Sequence, residues 1–178
     1  MGSRKDGACA LLKEERHAMT ESGELATGAR RFRFQQRVRF GDVDHAGIVY
    51  YPRILHYCHM AYEDWLIEEC IGLHELIGIR RYGTPVVSLS SSFHAPMAHG
   101  DLIHVEVTVE RVGVRSFILG YRVISAALET VCARMEVTHA SVDLETFQSV
   151  PIPPDLRAMF EEPVQEEGGE NASSDSET

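Results

Sequence analysis

Hydrophobic and polar residues follow two different periods along the chain, and these predict one strand, one long helix and then four more strands. Segment 32–40 alternates apolar and polar side chains at both of its ends, as a half-buried strand does. Four later β-rich runs are separated by short turn sequences, so we expect them to be antiparallel neighbours. These runs are residues 84–94, 102–112, 116–126 and 131–144.

Between the first strand and the others, apolar residues recur at helical spacing. Pro52 suits the first turn of a helix, where its missing N–H is tolerated, and residues 71–72 supply a stop. The apolar positions are Leu55, Cys58, Tyr62, Trp65 and Leu66. They predict a helix of about 18 residues. The fold class is therefore α+β, with a long central helix wrapped by a curved antiparallel five-stranded sheet, a layout that resembles the hotdog fold.

Composition changes at both ends of the chain. Residues 1–29 mix Lys, Glu, Gly and Ser, and we expect a flexible leader there. Residues 161–178 hold seven acidic and no basic residues and almost no hydrophobic ones, too few to offset the entropy of ordering, so we expect a disordered acidic tail. A chain of 178 residues has room for one well-buried domain, which these boundaries place at 30–160.

The charge balance argues against some classes of partner. The formal net charge is −10, but residues 30–160 carry 15 acidic and 13 basic residues and are nearly neutral. A nucleic-acid-binding surface needs clustered Lys and Arg, so we expect no nucleic-acid partner. The sequence has no apolar run that would span a membrane or serve as a signal peptide, and its four cysteines are irregularly spaced, which indicates reduced thiols and a cytoplasmic location.

The segment with the most chemical content is 40–52, where two carboxylates lie in a turn that leads into the predicted helix. A calcium loop is rejected because Ala46 and Arg53 stand where oxygen ligands are required. A phosphotransferase motif is disfavoured because the preceding strand is polar and the later strands are antiparallel. Two interpretations stay open: Asp42 and Asp44 shape the turn and cap the helix, or one of them acts on a carbonyl that the free amides of the helix N-terminus polarise.

Residues 35–52 resemble the signature of the 4-hydroxybenzoyl-CoA thioesterase family of hotdog hydrolases, and residues 83–88 and 115–117 resemble later segments of that family. The resemblance covers residues 32–150, nearly the whole predicted domain. It implies an acyl-CoA thioesterase that converts its substrate to a free acid and CoA, with aryl-CoA such as 4-hydroxybenzoyl-CoA favoured over short aliphatic acyl-CoA. It implies no metal and no cofactor, because a thioester is already activated.

The same resemblance implies roles for three residues in the turn. Asp44 corresponds to the catalytic aspartate, as nucleophile or general base, whereas Asp42 corresponds to a turn residue. The backbone N–H of Tyr51 corresponds to the group that polarises the thioester carbonyl. Gly47 would let the main chain approach the ligand closely.

Further residues are implied to bind the substrate. Arg115 and Ser116 correspond to contacts with the nucleotide end of CoA. His59 falls near the place where family members selective for hydroxylated aryl groups carry an acidic side chain, and Glu63 is the fallback carboxylate on the helix if Asp44 is inert. The predicted substrate-binding residues are His59, Glu63, Thr84 and Ser88.

The resemblance also bears on the assembly of the protein and on alternative functions. Hotdog sheets commonly pair edge to edge, so the resemblance implies a homo-oligomer, at least a dimer and by expectation a tetramer. The alternative function is a module that binds a CoA or carrier-protein thioester without cleaving it, and the presence of Asp44 favours catalysis. A hydratase is disfavoured because its hydration motif is missing, and we interpret His45 as a turn residue.

Overall fold

A long helix lies against a five-stranded antiparallel sheet in the computed structural model of the protein, which describes residues 30–69 and 82–161. In chain order the elements are β1 (Arg30–Arg37), a short 3-10 helix (Phe40–Asp42), α1 (Tyr51–Glu68), β2 (Tyr82–Gly83), β3 (Val86–Phe93), β4 (Leu102–Val112), β5 (Ser116–Ser125), β6 (Val131–Ala140), β7 (Val142–Asp143) and α2 (Pro154–Glu161). The predicted α+β class is confirmed.

The order of strands in the large sheet is β1-β4-β5-β6-β3, and every pair is antiparallel. Three consecutive strands therefore form a meander, while β1 and β3 lie at its two sides. A separate two-stranded sheet joins β2 to β7. Helix α1 packs against β1 and β4, and the buried side chains of helix and sheet form one hydrophobic core.

The buried residues of α1 follow the predicted helical spacing. They are Ile54, Tyr57, Cys58, Ala61, Tyr62, Trp65 and Leu66. The helix begins at Tyr51, one residue before Pro52, and ends at Glu68. The predicted stop at residues 71–72, the predicted leader at 1–29 and residues 162–178 of the predicted tail lie outside the described residues. The first residue of that predicted tail, Glu161, is instead the last residue of a helix.

Several predicted boundaries are wrong. The first strand ends at Arg37, because Val38 turns its backbone N–H to the carbonyl of Asp101 at 2.9 Å and buries its side chain. The run 131–144 is not one strand: β6 ends at Ala140, and the chain continues in the small sheet as β7. The break is at Ser141, which is fully buried and whose N–H donates to the carbonyl of Arg115 at 2.8 Å.

Helix α2 is an element that the sequence pattern does not predict. Its buried residues are Leu156, Met159 and Phe160, and the ring of Phe160 lies 4.5 Å from that of Phe117 and 5.9 Å from that of Trp65. The guanidinium of Arg157 donates a hydrogen bond to the carbonyl of Gly113. The helix therefore closes one end of the core beside the β4–β5 turn. No helix in the described part of the chain is long and apolar enough to cross a membrane.

Strand β3 is exposed along its whole length. Its partner on one side is β6, and in the described residues no strand pairs with its other side. Four of its apolar side chains have exposed fractions between 43 and 61%: Val86, Val87, Leu89 and Phe93. An open sheet edge with apolar side chains is the kind of surface that another chain covers.

His139 is a buried titratable group at the core end of β6. Its ring stacks on that of Phe117 at 4.9 Å, and Nδ1 lies 2.9 Å from the carbonyl oxygen of Thr84. Since a carbonyl only accepts, Nδ1 carries the proton and Nε2 is an acceptor, and Nε2 has no partner in the described part of the chain. Burial lowers the pKa of His139, while the hydrogen bond to Thr84 opposes that shift.

We expect the free energy of unfolding to fall as the pH is lowered from 7 to 5. The pKa of His139 is lower in the folded chain than its ordinary value of about 6.5, so in that window the unfolded chain binds a proton that the folded chain excludes. Urea unfolding across this range should show a shallower pH dependence for His139→Gln than for wild type. The exposed His45 provides the control, and an equal change of slope for His45→Gln would contradict the assignment.

Candidate active site

The predicted catalytic segment folds as a tight hairpin between β1 and α1. Val43 and Val49 form an antiparallel bridge, and the N–H of Asp44 donates to the carbonyl of Ile48 at 2.8 Å. The N–H of Gly47 donates back to the carbonyl of Asp44 at 3.0 Å, and Gly47 has a φ of 79°. A three-residue hairpin loop commonly ends on a left-handed glycine, so the backbone here selects Gly47 for its conformation.

The carboxylate of Asp44 is exposed and only half engaged. Its Oδ1 accepts a hydrogen bond from the N–H of Ala46 at 2.8 Å, as in the turns that aspartate favours. Within the residues that the structure describes, Oδ2 has no hydrogen bond or ion pair. One oxygen therefore orients the side chain, and the other is available for chemistry. Asp44 can therefore shape the turn through one oxygen and still act on a carbonyl through the other.

Asp42 is engaged through both carboxylate oxygens. Its Oδ2 accepts the hydroxyl of Tyr57 at 2.8 Å and the backbone N–H of Arg39 at 3.1 Å, and Oδ1 lies 3.5 Å from Nε of Arg53. Its carbonyl accepts the N–H of Tyr50 at 2.9 Å. Burial raises the pKa of Tyr57 well above its ordinary range, and Asp42 reinforces this shift, so the phenol stays a donor. Asp42 thus ties the turn to α1.

The N-terminus of α1 offers a free amide beside this turn. Tyr51 is the first helical residue, so its N–H has no acceptor inside the helix, and Pro52 has no N–H. The first turn contains no acidic residue that would offset the partial positive charge of the helix end. The N–H of Arg53 is already bound to the carbonyl of Tyr50 at 2.7 Å. The Tyr51 amide is therefore suited to bind a developing oxyanion.

Asp44 and Tyr51 border the same cleft, which has a volume of about 470 Å³. The other lining residues are mostly apolar and come from the hairpin, the first turn of α1, the last residue of β3 and the segment that follows it: Ile48, Val49, Ile54, Phe93, His94, Ala95, Pro96 and Met97. Gly47 is not among them. Sequence reasoning missed the wall at residues 93–97, and the only signal for this wall was its place at the end of a β-rich run.

The predicted substrate-binding residues do not line this cleft. Thr84 lies at the opposite end of β3 from Phe93, and eight residues of strand separate the ends by about 23 Å. Arg115 and Ser116 lie at that same far end, since Ser116 is the register partner of Ala140 and the carbonyl of Arg115 binds the N–H of Ser141. One protomer therefore carries two separate groups of predicted residues, one at each end of β3.

The two predicted residues of the helix, His59 and Glu63, belong with the second group. His59 is exposed and Glu63 half-buried, and the charge of His59 lowers the pKa of His139, which contacts Thr84. Glu63 follows His59 by four residues, one turn further along the same side of α1.

Ser88 belongs to neither group. Its strand neighbour Leu89 is paired with Val137 of the core, so the side chain of Ser88 points to the other face of the sheet, where its register partner is Thr138. The structure does not bring Ser88 to the cleft. In residues 30–69 and 82–161, no three His, Cys, Asp or Glu side chains are grouped as a metal site requires.

Comparison with known proteins defines the class. The model of the thioesterase-like superfamily matches residues 38–160, so the chain belongs to that superfamily. A 1,4-dihydroxy-2-naphthoyl-CoA hydrolase from Synechocystis is 31% identical over 122 residues, which are 68% of this chain and 88% of the relative. A hydrolase of the same name from Nostoc punctiforme is 31% identical over 73% of this chain and 86% of its own length.

Solved structures agree with the class. The crystal structure of a 1,4-dihydroxy-2-naphthoyl-CoA thioesterase from Synechocystis matches with a TM-score of 0.69 and 29% identity, covering 72% of this chain and 94% of that one. A gentisyl-coenzyme A thioesterase matches with a TM-score of 0.64 and 29% identity, covering 70% and 98%. The predictions of a hotdog fold and of a thioester hydrolase are confirmed at the level of the family.

The tether between Asp42 and Tyr57 gives a testable consequence. Tyr57→Phe removes a partly buried hydrogen bond to a carboxylate, so we expect the free energy of unfolding to fall by about 1.5 to 3 kcal/mol. Urea denaturation measures this loss. Tyr50→Phe is the matched control, because the hydroxyl of Tyr50 is exposed and makes no hydrogen bond in the described part of the chain. Equal losses in the two variants would show that the tether contributes nothing specific.

Proposed function

We propose that the protein hydrolyses an aryl-CoA thioester, with Asp44 as nucleophile or general base and the Tyr51 N–H as the group that polarises the carbonyl. The observation that carries this proposal is the shared cleft: a carboxylate with one free oxygen and a free helix N-terminal amide border the same, mostly apolar space. An acyl carbon bound there could meet both groups at once.

The chemistry follows from these two groups. The thioester oxygen accepts the Tyr51 N–H, whose position at the helix end favours the negative charge that develops there. Asp44 Oδ2 then either bonds to the acyl carbon or removes a proton from a water that does so. The carbon–sulfur bond breaks, and CoA leaves as a thiolate that takes up a proton. In the water route this step yields the free acid directly. In the nucleophilic route it leaves an acyl–Asp44 anhydride, which water then cleaves to release the acid and restore the Asp44 carboxylate.

The apolar walls of the cleft favour an aryl group. Ile48, Val49, Ile54 and Phe93 offer apolar surface rather than hydrogen-bonding groups. The relatives are named for 1,4-dihydroxy-2-naphthoyl-CoA and gentisyl-coenzyme A, two acyl groups whose rings carry a pair of hydroxyls para to each other. We therefore favour a dihydroxylated aryl group, and the 4-hydroxybenzoyl group implied by the signature is the simpler alternative.

A second copy of the chain would complete the site. Two copies related by a two-fold axis can pair their β3 edges antiparallel, which covers the exposed apolar residues of β3. That pairing sets the start of one β3 beside the end of the other, so Thr84 of the second copy approaches the segment after Phe93. His59, Glu63, Arg115 and Ser116 would come with it, and Arg115 could pair with a phosphate of CoA. The tetramer that the resemblance implies would pair two such dimers.

Asp44→Asn tests the catalytic role. We expect release of free CoA thiol to fall by about a hundred- to ten-thousand-fold, because the amide can neither attack nor take up a proton efficiently. The Kd for the acyl-CoA should change little. The matched control is Asp64→Asn, an exposed aspartate on α1. Undiminished release by Asp44→Asn would reject the mechanism, and binding without release by the wild type would instead favour a non-hydrolytic thioester-binding module.

Leu89→Lys tests the dimer. Lysines at residue 89 of both copies would place two like charges near the proposed dimer interface. We therefore expect light scattering to show monomers, and we expect thiol release to fall because the monomers lack a complete site. The control is Leu128→Lys, which changes a leucine with an exposed fraction of 76% in the β5–β6 turn and should stay dimeric and active. A dimeric, fully active Leu89→Lys protein would exclude β3 as the interface.

A further inference from the structure

Thr84 is fixed from two sides by aromatic residues of the core. Its carbonyl oxygen accepts the Nδ1–H of His139 at 2.9 Å, and its hydroxyl Oγ1 lies 3.3 Å from the hydroxyl of Tyr62. The rings of Tyr62 and His139 are themselves 5.2 Å apart. Both aromatic residues are buried, whereas Thr84 is half-buried. Main chain and side chain of Thr84 are thus both held, next to the open edge of β3.

The direction of the bond between Tyr62 and Thr84 follows from burial. In the described part of the chain the hydroxyl of Tyr62 has no acceptor other than Thr84, and a buried donor left unpaired is costlier than an acceptor with a spare lone pair. Tyr62 therefore donates. Burial raises the pKa of Tyr62 to about 12, so the phenol keeps its proton at neutral pH. The hydrogen of the Thr84 hydroxyl is consequently free to point elsewhere.

We propose that Thr84 selects substrates with a hydroxylated ring and that Tyr62 is the residue that positions it for this. The inference rests on the proposed function, because it uses the second copy's Thr84 at the cleft that holds the acyl group. With Tyr62 as its donor, the Thr84 hydroxyl becomes a directed donor for a ring hydroxyl oxygen. A hydroxyl that is already oriented loses little freedom on binding, so the recognition depends on Tyr62 as well as Thr84.

The contribution of each group is measurable as a preference ratio. The ratio compares a hydroxylated with an unhydroxylated ligand, here gentisyl-CoA with benzoyl-CoA, and a general loss of stability or rate cancels from it. Kd values measured by calorimetry on full-length protein that carries Asp44→Asn give the ratio for binding, without turnover. Values of kcat/KM measured on protein that keeps Asp44 give the ratio for the reaction. Recognition and hydrolysis are therefore tested separately. Absence of hydrolysis by the wild type would reject the proposed function, whereas a preference ratio unchanged in the Thr84 and Tyr62 variants would reject this inference.

We expect Thr84→Val to reduce the preference for gentisyl-CoA about tenfold, the usual size of one lost hydrogen bond. Tyr62→Phe should reduce it about three- to tenfold although its ring does not reach the ligand. The double variant should be no worse than Thr84→Val, since both changes act through one hydroxyl. Thr84→Ser, which keeps the hydroxyl, should keep most of the preference.

Tyr57→Phe is the matched control, since it removes the hydroxyl of another buried tyrosine of α1 that binds Asp42 instead of Thr84. It should slow the reaction of both ligands alike and leave their ratio unchanged. The inference is overturned if Tyr62→Phe leaves the ratio within about twofold of its parent, or if the losses of Tyr62→Phe and Thr84→Val add. Should Tyr62→Phe not fold, an unchanged ratio in Thr84→Val overturns it by itself.

Discussion

The fixed relation between the Asp42–Gly47 turn and the first turns of α1 is the constraint on which the candidate site depends. Hydrogen bonds from Tyr57 and Arg39 reach the side chain of Asp42, and the N–H of Tyr50 reaches its carbonyl. These contacts join a loop to a helix that is itself buried along one face. As a result Asp44 and the Tyr51 amide keep their places at one cleft without any contact between them.

The second constraint is the position of α1 on the sheet. The helix packs on β1 and β4, at one side, and the strand order puts β3 at the other. The apolar residues of β3 are therefore uncovered, and the predicted residues other than Ser88 fall into two groups at its two ends. The proposed antiparallel pairing of two β3 strands would account for both facts, because it would bury the open edge and bring unlike ends of β3 together. In that proposal the two groups of residues form one site only when two copies of the chain associate.

Much of this architecture could be predicted from the sequence, because it follows from local periodicity. Helix α1 and the core-facing alternation of β4 and β5 are strong regular patterns. The exceptions each have a cause that periodicity does not contain. A register shift between Val86 and Ser88 reverses the face that a simple alternation would give, and the break after Ala140 depends on a bond from Ser141 to the distant Arg115. The candidate site was predictable for a different reason, since residues 40–52 are contiguous and a motif could locate Asp44, Gly47 and Tyr51 in one segment.

The wall at residues 93–97, the partners of Thr84 and the short helix α2 were not predictable, because they arise from tertiary contacts between segments far apart in sequence. Helix α2 in particular has only three buried residues and begins at the second of two consecutive prolines, a pattern as typical of a loop as of a helix.

The two aspartates of the turn show how contacts assign roles that composition leaves open. Asp42 has its lone pairs engaged by a phenol, a main-chain amide and a nearby guanidinium, so attack on a carbonyl would break contacts that hold the loop. In Asp44, Oδ1 accepts a hydrogen bond from the N–H of Ala46, while Oδ2 is free beside the cleft within the described part of the chain. In the proposed mechanism one oxygen of Asp44 orients the side chain and the other reacts, while the neighbouring carboxylate of Asp42 holds the loop in place.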